Sequence, residues 1–213
     1  MNKRNYQREL DRIIEMIPAG EEKKRLLLHC CCAPCSSYVL EYLYHFFDIT
    51  VFFFNPNIVE EEKYRKRKKE LLRYLSEVQF GREIHRMDAD YEPERFLQTA
   101  KGHEHDPERG ERCRLCFYLR LSETAKVAAQ GKFDYFCTTL SISPHKNADL
   151  LMTVGEELAG EYGVPYLPSD FKKRNGYKRS IELSSQYHLY RQDYCGCIFS
   201  RQAKERKEHQ IEP

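Results

Sequence analysis

The chain has 213 residues, 41% of them hydrophobic, which is enough for one well-filled core and a single domain. Its 35 basic and 33 acidic residues leave a formal charge of +2, so a polyanionic partner must be met by local basic clusters rather than by overall charge. No apolar run approaches a membrane span and the amino terminus lacks the apolar core of a signal peptide, so a cytoplasmic location is expected, with the nine cysteines reduced and used as metal ligands or catalytic groups.

Tyr6, Leu10, Ile13, Ile14 and Ile17 recur at helical spacing, and Pro18 and Gly20 end that helix. The expected division is an N-terminal helical extension over 1–24, an α/β core over 25–168, and a basic segment with C-terminal helices over 169–213. Leu26-Leu27-Leu28, flanked by charged residues, reads as a short buried strand, and Pro34 stands at the first position of a helix running to about Phe47. Cys31, Cys32 and Cys35 therefore fall between a strand's carboxyl end and a helix's amino end. Open α/β sheets bind ligands there, and the helix dipole lowers the cost of holding a thiolate.

Asp48–Phe54 is a second buried strand, turned by Asn55-Pro56-Asn57. Glu60–Val78 is a charged helix with an acidic first turn, and its six basic residues between Lys63 and Lys69 read as a solvated face. Glu83–Met87 makes a third strand and Glu92–Ala100 a short helix entered through Pro93. A polar loop over 101–112 delivers Cys113-Arg114-Leu115-Cys116 to the start of a helix reaching Ala129. Phe133–Leu140 is a fourth strand with Ser141–Asn147 as its exit loop; after another helix, Val164–Leu167 supplies a fifth. This alternation predicts an α/β fold with a three-layer parallel sheet. Beyond Pro168 the chain is basic to Arg179, helical from about Ser180 to Tyr190, turned at Cys195-Gly196-Cys197, then helical again.

Cys113 and Cys116, at i,i+3, place both sulfurs on one helix face, a bite suited to an iron–sulfur cluster or to one zinc. Zinc completed by Cys32-Ala33-Pro34-Cys35 leaves Cys31, Cys195 and Cys197 unexplained, so iron–sulfur is the preferred reading. Cys195 and Cys197, with only Gly196 between them, can close a strained, easily reduced disulfide or divide between two neighbouring metals. His29, Cys30 and Cys137 read as core residues, His103 and His105 as solvated, and His145 as a candidate general acid. Lys172, Lys173, Arg174, Lys178 and Arg179, interleaved with Phe171 and Tyr177, suit RNA: cations hold phosphates while rings stack on bases.

His29-Cys30-Cys31-Cys32-Ala33-Pro34-Cys35-Ser36, Cys113-Arg114-Leu115-Cys116, Thr138-Thr139-Leu140, Ser143-Pro144-His145-Lys146-Asn147, the segment 170–180 and Cys195-Gly196-Cys197 together resemble the cobalamin-independent epoxyqueuosine reductases, the QueH type. The resemblance runs from about Leu26 to Ser200. It implies reduction of epoxyqueuosine to queuosine at the wobble position of tRNA, and an α/β fold similar to that of PP-loop nucleotide-binding enzymes, without the glycine-rich loop that ATP use would need. It also implies a 4Fe-4S cluster on Cys31, Cys32, Cys113 and Cys116, and a redox-active dithiol at Cys195 and Cys197. Because Cys31 and Cys32 are adjacent, one of them is open to binding a second iron with Cys195 or Cys197. The implied partners are tRNA bearing epoxyqueuosine and an electron donor, either ferredoxin- or flavodoxin-like or a thiol. The rival readings are an iron–sulfur tRNA thiolation enzyme and a zinc-stabilised RNA-binding module.

Overall fold

The structure is a computed structural model describing residues 4–18, 20–192 and 194–209. Its elements are α1 (Tyr6–Glu15), β1 (Lys24–His29), α2 (Ala33–Leu43), β2 (Phe47–Phe52), α3 (Glu61–Glu77), β3 (His85–Met87), α4 (Pro93–Thr99), α5 (Glu111–Gln130), β4 (Tyr135–Thr138), α6 (Ala148–Tyr162), α7 (Gly176–Gln186) and α8 (Ile198–His209). The four strands are all parallel, in the order β3-β2-β1-β4.

The leucine run explains why β1 is central. Leu26, Leu27 and Leu28 are completely buried, as a strand covered on both faces requires. Alternation divides them: Leu26 and Leu28 pack with Val39 and Leu40 of α2 and Tyr74 of α3, whereas Leu27 packs with Leu121 of α5 and Leu158 of α6. Helices therefore cover both faces, and the three-layer α/β expectation holds.

The chain builds outward from β1 through β2 to β3, then returns to place β4 on β1's other side. The order reverses between β1 and β4, the position at which open α/β sheets bind ligands. Cys31 leaves β1 at that crevice, and its N–H donates to Thr139 Oγ1 at 3.3 Å, just beyond β4.

Two elements differ from expectation. The fifth strand is reduced to one parallel bridge, Phe136 with Tyr166, because Pro165 and Pro168 lack the N–H donors that a longer ladder needs. The fourth strand stops at Thr138 and turns into a 3₁₀ segment, Thr139–Ile142, which carries the chain across the crevice. Helix α1 packs onto the rest of the domain through Leu10, which is completely buried in the core. Tyr6 Oη donates to Asp149 Oδ1 at 2.9 Å, and Asp11 receives Arg174 at 2.5 Å.

Candidate redox and metal centre

Cys32 precedes α2 in an extended conformation, with Pro34 in that helix's first turn. Its backbone brings neighbouring side chains together: Cys31 Sγ and Cys32 Sγ are 3.8 Å apart. With Cys35 they form a triad whose sulfurs all lie within 4.8 Å of one another, so this group can hold a metal. Hydrogen bonds from the Cys32 and Cys35 thiols hold Cys31 well below the ordinary thiol range, with help from the Arg120 guanidinium and Thr139. The same hydrogen bonds push Cys35 upward.

Cys113 and Cys116 occupy the first turns of α5. The Arg109 N–H donates to Cys113 Sγ at 3.3 Å, and Cys116 packs with Cys197 beside Phe96 and Ala100. Cys195 receives a hydrogen bond from the Cys197 thiol and another from Lys146 Nζ at 2.7 Å. Together these hold Cys195 well below its usual range, while the bond to Cys195 pushes Cys197 up. Burial opposes the Lys146 charge, yet Cys195 beside it raises Lys146 above the ordinary lysine value. The turn needs its glycine: Gly196 has φ +95°, and a Cβ there would meet Arg67 Nη1 at 2.0 Å.

Arg120 connects the groups. It is 2% exposed, has no carboxylate partner among the described residues, and donates to Asn55 Oδ1 at 2.5 Å. Its charge helps to lower Cys31 and Cys195, and at Cys116 it opposes the burial that raises that thiol. Asn55 in turn donates to the Cys30 carbonyl at 2.9 Å, directly before the triad. His29, fully buried between Thr138 and the Phe54 carbonyl, is lowered to about 3 by burial and then by Arg120, so it stays neutral. A buried cation whose charged neighbours are sulfurs calls for negative charge at those sulfurs. Thiolates or an anionic thiolate-bound cluster supply that charge, and the donor set fits a metal centre.

Three of these groups escaped the sequence reading. Arg120 lies within a helix that otherwise reads as a cover for the sheet. Arg67 was grouped with a solvated face, but it is 5% exposed, with its guanidinium 5.7 Å from the Tyr194 ring. Lys146 was noted only inside a motif. Cys35 was visible in the Cys32-Ala33-Pro34-Cys35 spacing and left out of the ligand set, yet it joins the triad. His145 is exposed, and its backbone carbonyl accepts from Arg109 Nε at 3.3 Å. In the basic segment, Lys172 pairs with Asp170 at 2.7 Å, Arg174 with Asp11 at 2.5 Å and Arg179 with Glu41 at 2.7 Å. Lys173 and Lys178 are exposed, without a carboxylate partner among the described residues.

A parallel α/β sheet with cysteines gathered at its switch point, one thiol paired with a lysine and a buried arginine among the sulfurs, defines a cysteine-centred protein whose site can hold a metal. The family profile described as epoxyqueuosine reductase QueH matches residues 26–203. Epoxyqueuosine reductase QueH of Streptococcus pyogenes serotype M1 is 43% identical over 198 residues, covering 92% of this chain and 78% of that protein. Its counterpart from Staphylococcus epidermidis is 42% identical over 200 residues, covering 92% and 84%. That of Thermotoga maritima is 30% identical over 177 residues, covering 83% and 92%. The chain belongs to the epoxyqueuosine reductase QueH family, as the cysteine motifs had implied.

Proposed function

We propose that this chain is an oxidoreductase that reduces epoxyqueuosine to queuosine at the wobble position of tRNA, in the cytoplasm. The carrying observation is Arg120: one buried guanidinium whose charge reaches a sulfur in each of three cysteine groups drawn from distant parts of the chain, helping to lower Cys31 and Cys195 and opposing the burial that raises Cys116. Removing the epoxide oxygen as water takes two electrons and two protons. A dithiol at Cys195 and Cys197 provides both when it closes to a disulfide, and the oxygen leaves with the two protons. Lys146 keeps Cys195 anionic and holds a proton at Nζ for the departing oxygen.

The ligand set is Cys31, Cys32, Cys113 and Cys116 for a 4Fe-4S cluster, with Cys35 as a further donor at its edge. Such a cluster, with a second iron nearby, supplies electron storage and Lewis acidity. Lys172, Lys173, Arg174, Lys178 and Arg179 serve the tRNA backbone, three of them by exchanging an internal carboxylate for phosphate. A ferredoxin- or flavodoxin-like protein, or a thiol, restores the dithiol.

The test is iron, zinc and sulfide analysis of anaerobically purified protein, together with turnover on tRNA carrying epoxyqueuosine. The expected protein is brown. Cys113→Ser and Cys116→Ser lose iron, whereas Cys195→Ser keeps most of it but loses multiple turnover. A colourless zinc protein that binds tRNA without turnover, or ATP-dependent thiolation, overturns the reading.

A further inference from the structure

Beside the thiol pair lies a cavity of about 530 Å³, within the range of about 300–1,000 Å³ usual for ligand sites. Its walls come from separate parts of the chain: Arg4 and Tyr6 at the start of α1, Arg109 ahead of α5, Lys146 from the loop after β4, and Lys172 and Lys173. Its acidic groups, Asp149 and Asp170, already hold Tyr6 and Lys172. Among the described residues, the Arg109 guanidinium meets the carbonyls of Pro144 and His145 and no carboxylate, and Lys173 is exposed without a carboxylate partner. Arg4 is already paired with Glu9 at 2.7 Å and Glu156 at 2.6 Å, so Arg109 and Lys173 are the wall cations that lack a carboxylate among the described residues. Two wall residues also touch the sulfur centre: Lys146 through Cys195 at 2.7 Å, and the Arg109 N–H through Cys113 at 3.3 Å.

The α1 wall lies ahead of residue 26, where the family profile begins to match. It is nonetheless clamped to this face. Tyr6 is bonded to Asp149, Arg4 pairs with Glu156 at 2.6 Å, and Asp11 pairs with Arg174 at 2.5 Å. We propose that this cavity, with α1 as one wall, receives the nucleotide being reduced, Arg109 and Lys173 holding its flanking phosphates while Lys146 marks the inner end at Cys195. This inference rests on the RNA reading above. A concave, cation-lined space suits a single extruded nucleotide rather than the flat face of an acidic electron-transfer protein.

The test uses the full-length loaded enzyme and an anticodon stem-loop carrying epoxyqueuosine, with equilibrium binding measured at two salt concentrations. Lys173→Ala and Arg109→Ala should each weaken binding by roughly 3–10-fold and lower the slope of log affinity against log salt by about 0.7–1. Arg109→Lys, which keeps the charge, should bind better than Arg109→Ala. Lys69→Ala, on the exposed side of α3, should bind as wild type. Unchanged thermal midpoints in Lys173→Ala and Arg109→Ala exclude misfolding as the cause of weaker binding. If wild type reduces the epoxide while Lys173→Ala and Arg109→Ala bind with unchanged affinity and salt slope, the cavity assignment falls and the function stands. If they bind weakly but wild type reduces nothing, the function falls and the cavity stands. Unchanged RNA binding with slower electron delivery from an acidic protein donor overturns the assignment in favour of that donor.

Discussion

Replacing Arg120 with methionine removes a buried charge and its donors while keeping most of the side-chain volume. The structure sets three terms. Asn55 Oδ1 loses a hydrogen bond of 2.5 Å and stays buried, at a cost of about 1–3 kcal/mol. Each anionic sulfur nearby loses roughly 2–3 kcal/mol of attraction, taking separations of ~6–8 Å and an effective dielectric of ~20. Against these, the several kcal/mol spent on burying a guanidinium are recovered. With the thiols protonated, the first and third terms nearly cancel. With thiolates or a bound cluster, the second term dominates. Arg120→Met should therefore change the unfolding free energy of metal-free reduced protein by less than about 2 kcal/mol once Cys31 and Cys195, the two sulfurs held anionic, are replaced by serine, but destabilise the loaded protein by about 3 kcal/mol or more. Anaerobic urea unfolding of both forms, with iron counted before and after, measures the difference. Equal losses in the two forms would refute the reasoning and leave Arg120 a purely structural side chain.

Two further outcomes follow from the same region. Gly196→Ala must adopt φ +95° and displace buried Arg67, so it should cost about 1–3 kcal/mol in urea unfolding and shift the Cys195–Cys197 reduction potential; wild-type values for both would refute the tight-turn account. His29 has a folded pKa near 3, below its ordinary 6.5, so as pH falls the unfolded chain takes up its proton first, and the stability present above 6.5 is lost on approach to 3. Between pH 6 and 5 the unfolding free energy of His29→Asn should fall with pH by about one proton's worth less than wild type, ~1.4 kcal/mol per pH unit, and parallel curves would contradict this.

What the residues declared in advance was mostly what periodicity can carry. The leucine run placed β1 at the centre because only a strand covered on both faces needs three consecutive apolar residues. Pro34 placed the start of α2 because the missing N–H costs nothing in a first helical turn. Val164–Leu167 misled because its composition is strand-like while its prolines prevent a ladder. The site was legible in its cysteines, whose grouping is chemical and local. It was not legible in Arg67, Arg120 or Lys146, because a long basic side chain looks the same in sequence whether it is solvated or aimed inward at a sulfur. The basic segment shows the converse: five cations that read as free for RNA include three already engaged by carboxylates from elsewhere in the chain.

The three cysteine groups are separated by most of the chain, and this bears on how the protein is made. A nascent chain presents Cys31, Cys32 and Cys35 long before Cys113 and Cys116 leave the ribosome, and Cys195 and Cys197 come last. The early triad can hold a metal on its own, since its sulfurs come from one five-residue stretch, 31–35, at the start of α2. Lys146 is then synthesised ahead of the cysteine it will hold, and the turn at Gly196 closes over Arg67, already in place on α3. The order of translation thus puts metal capture before closure, and a chain stalled short of Cys195 would display its sulfurs to oxygen.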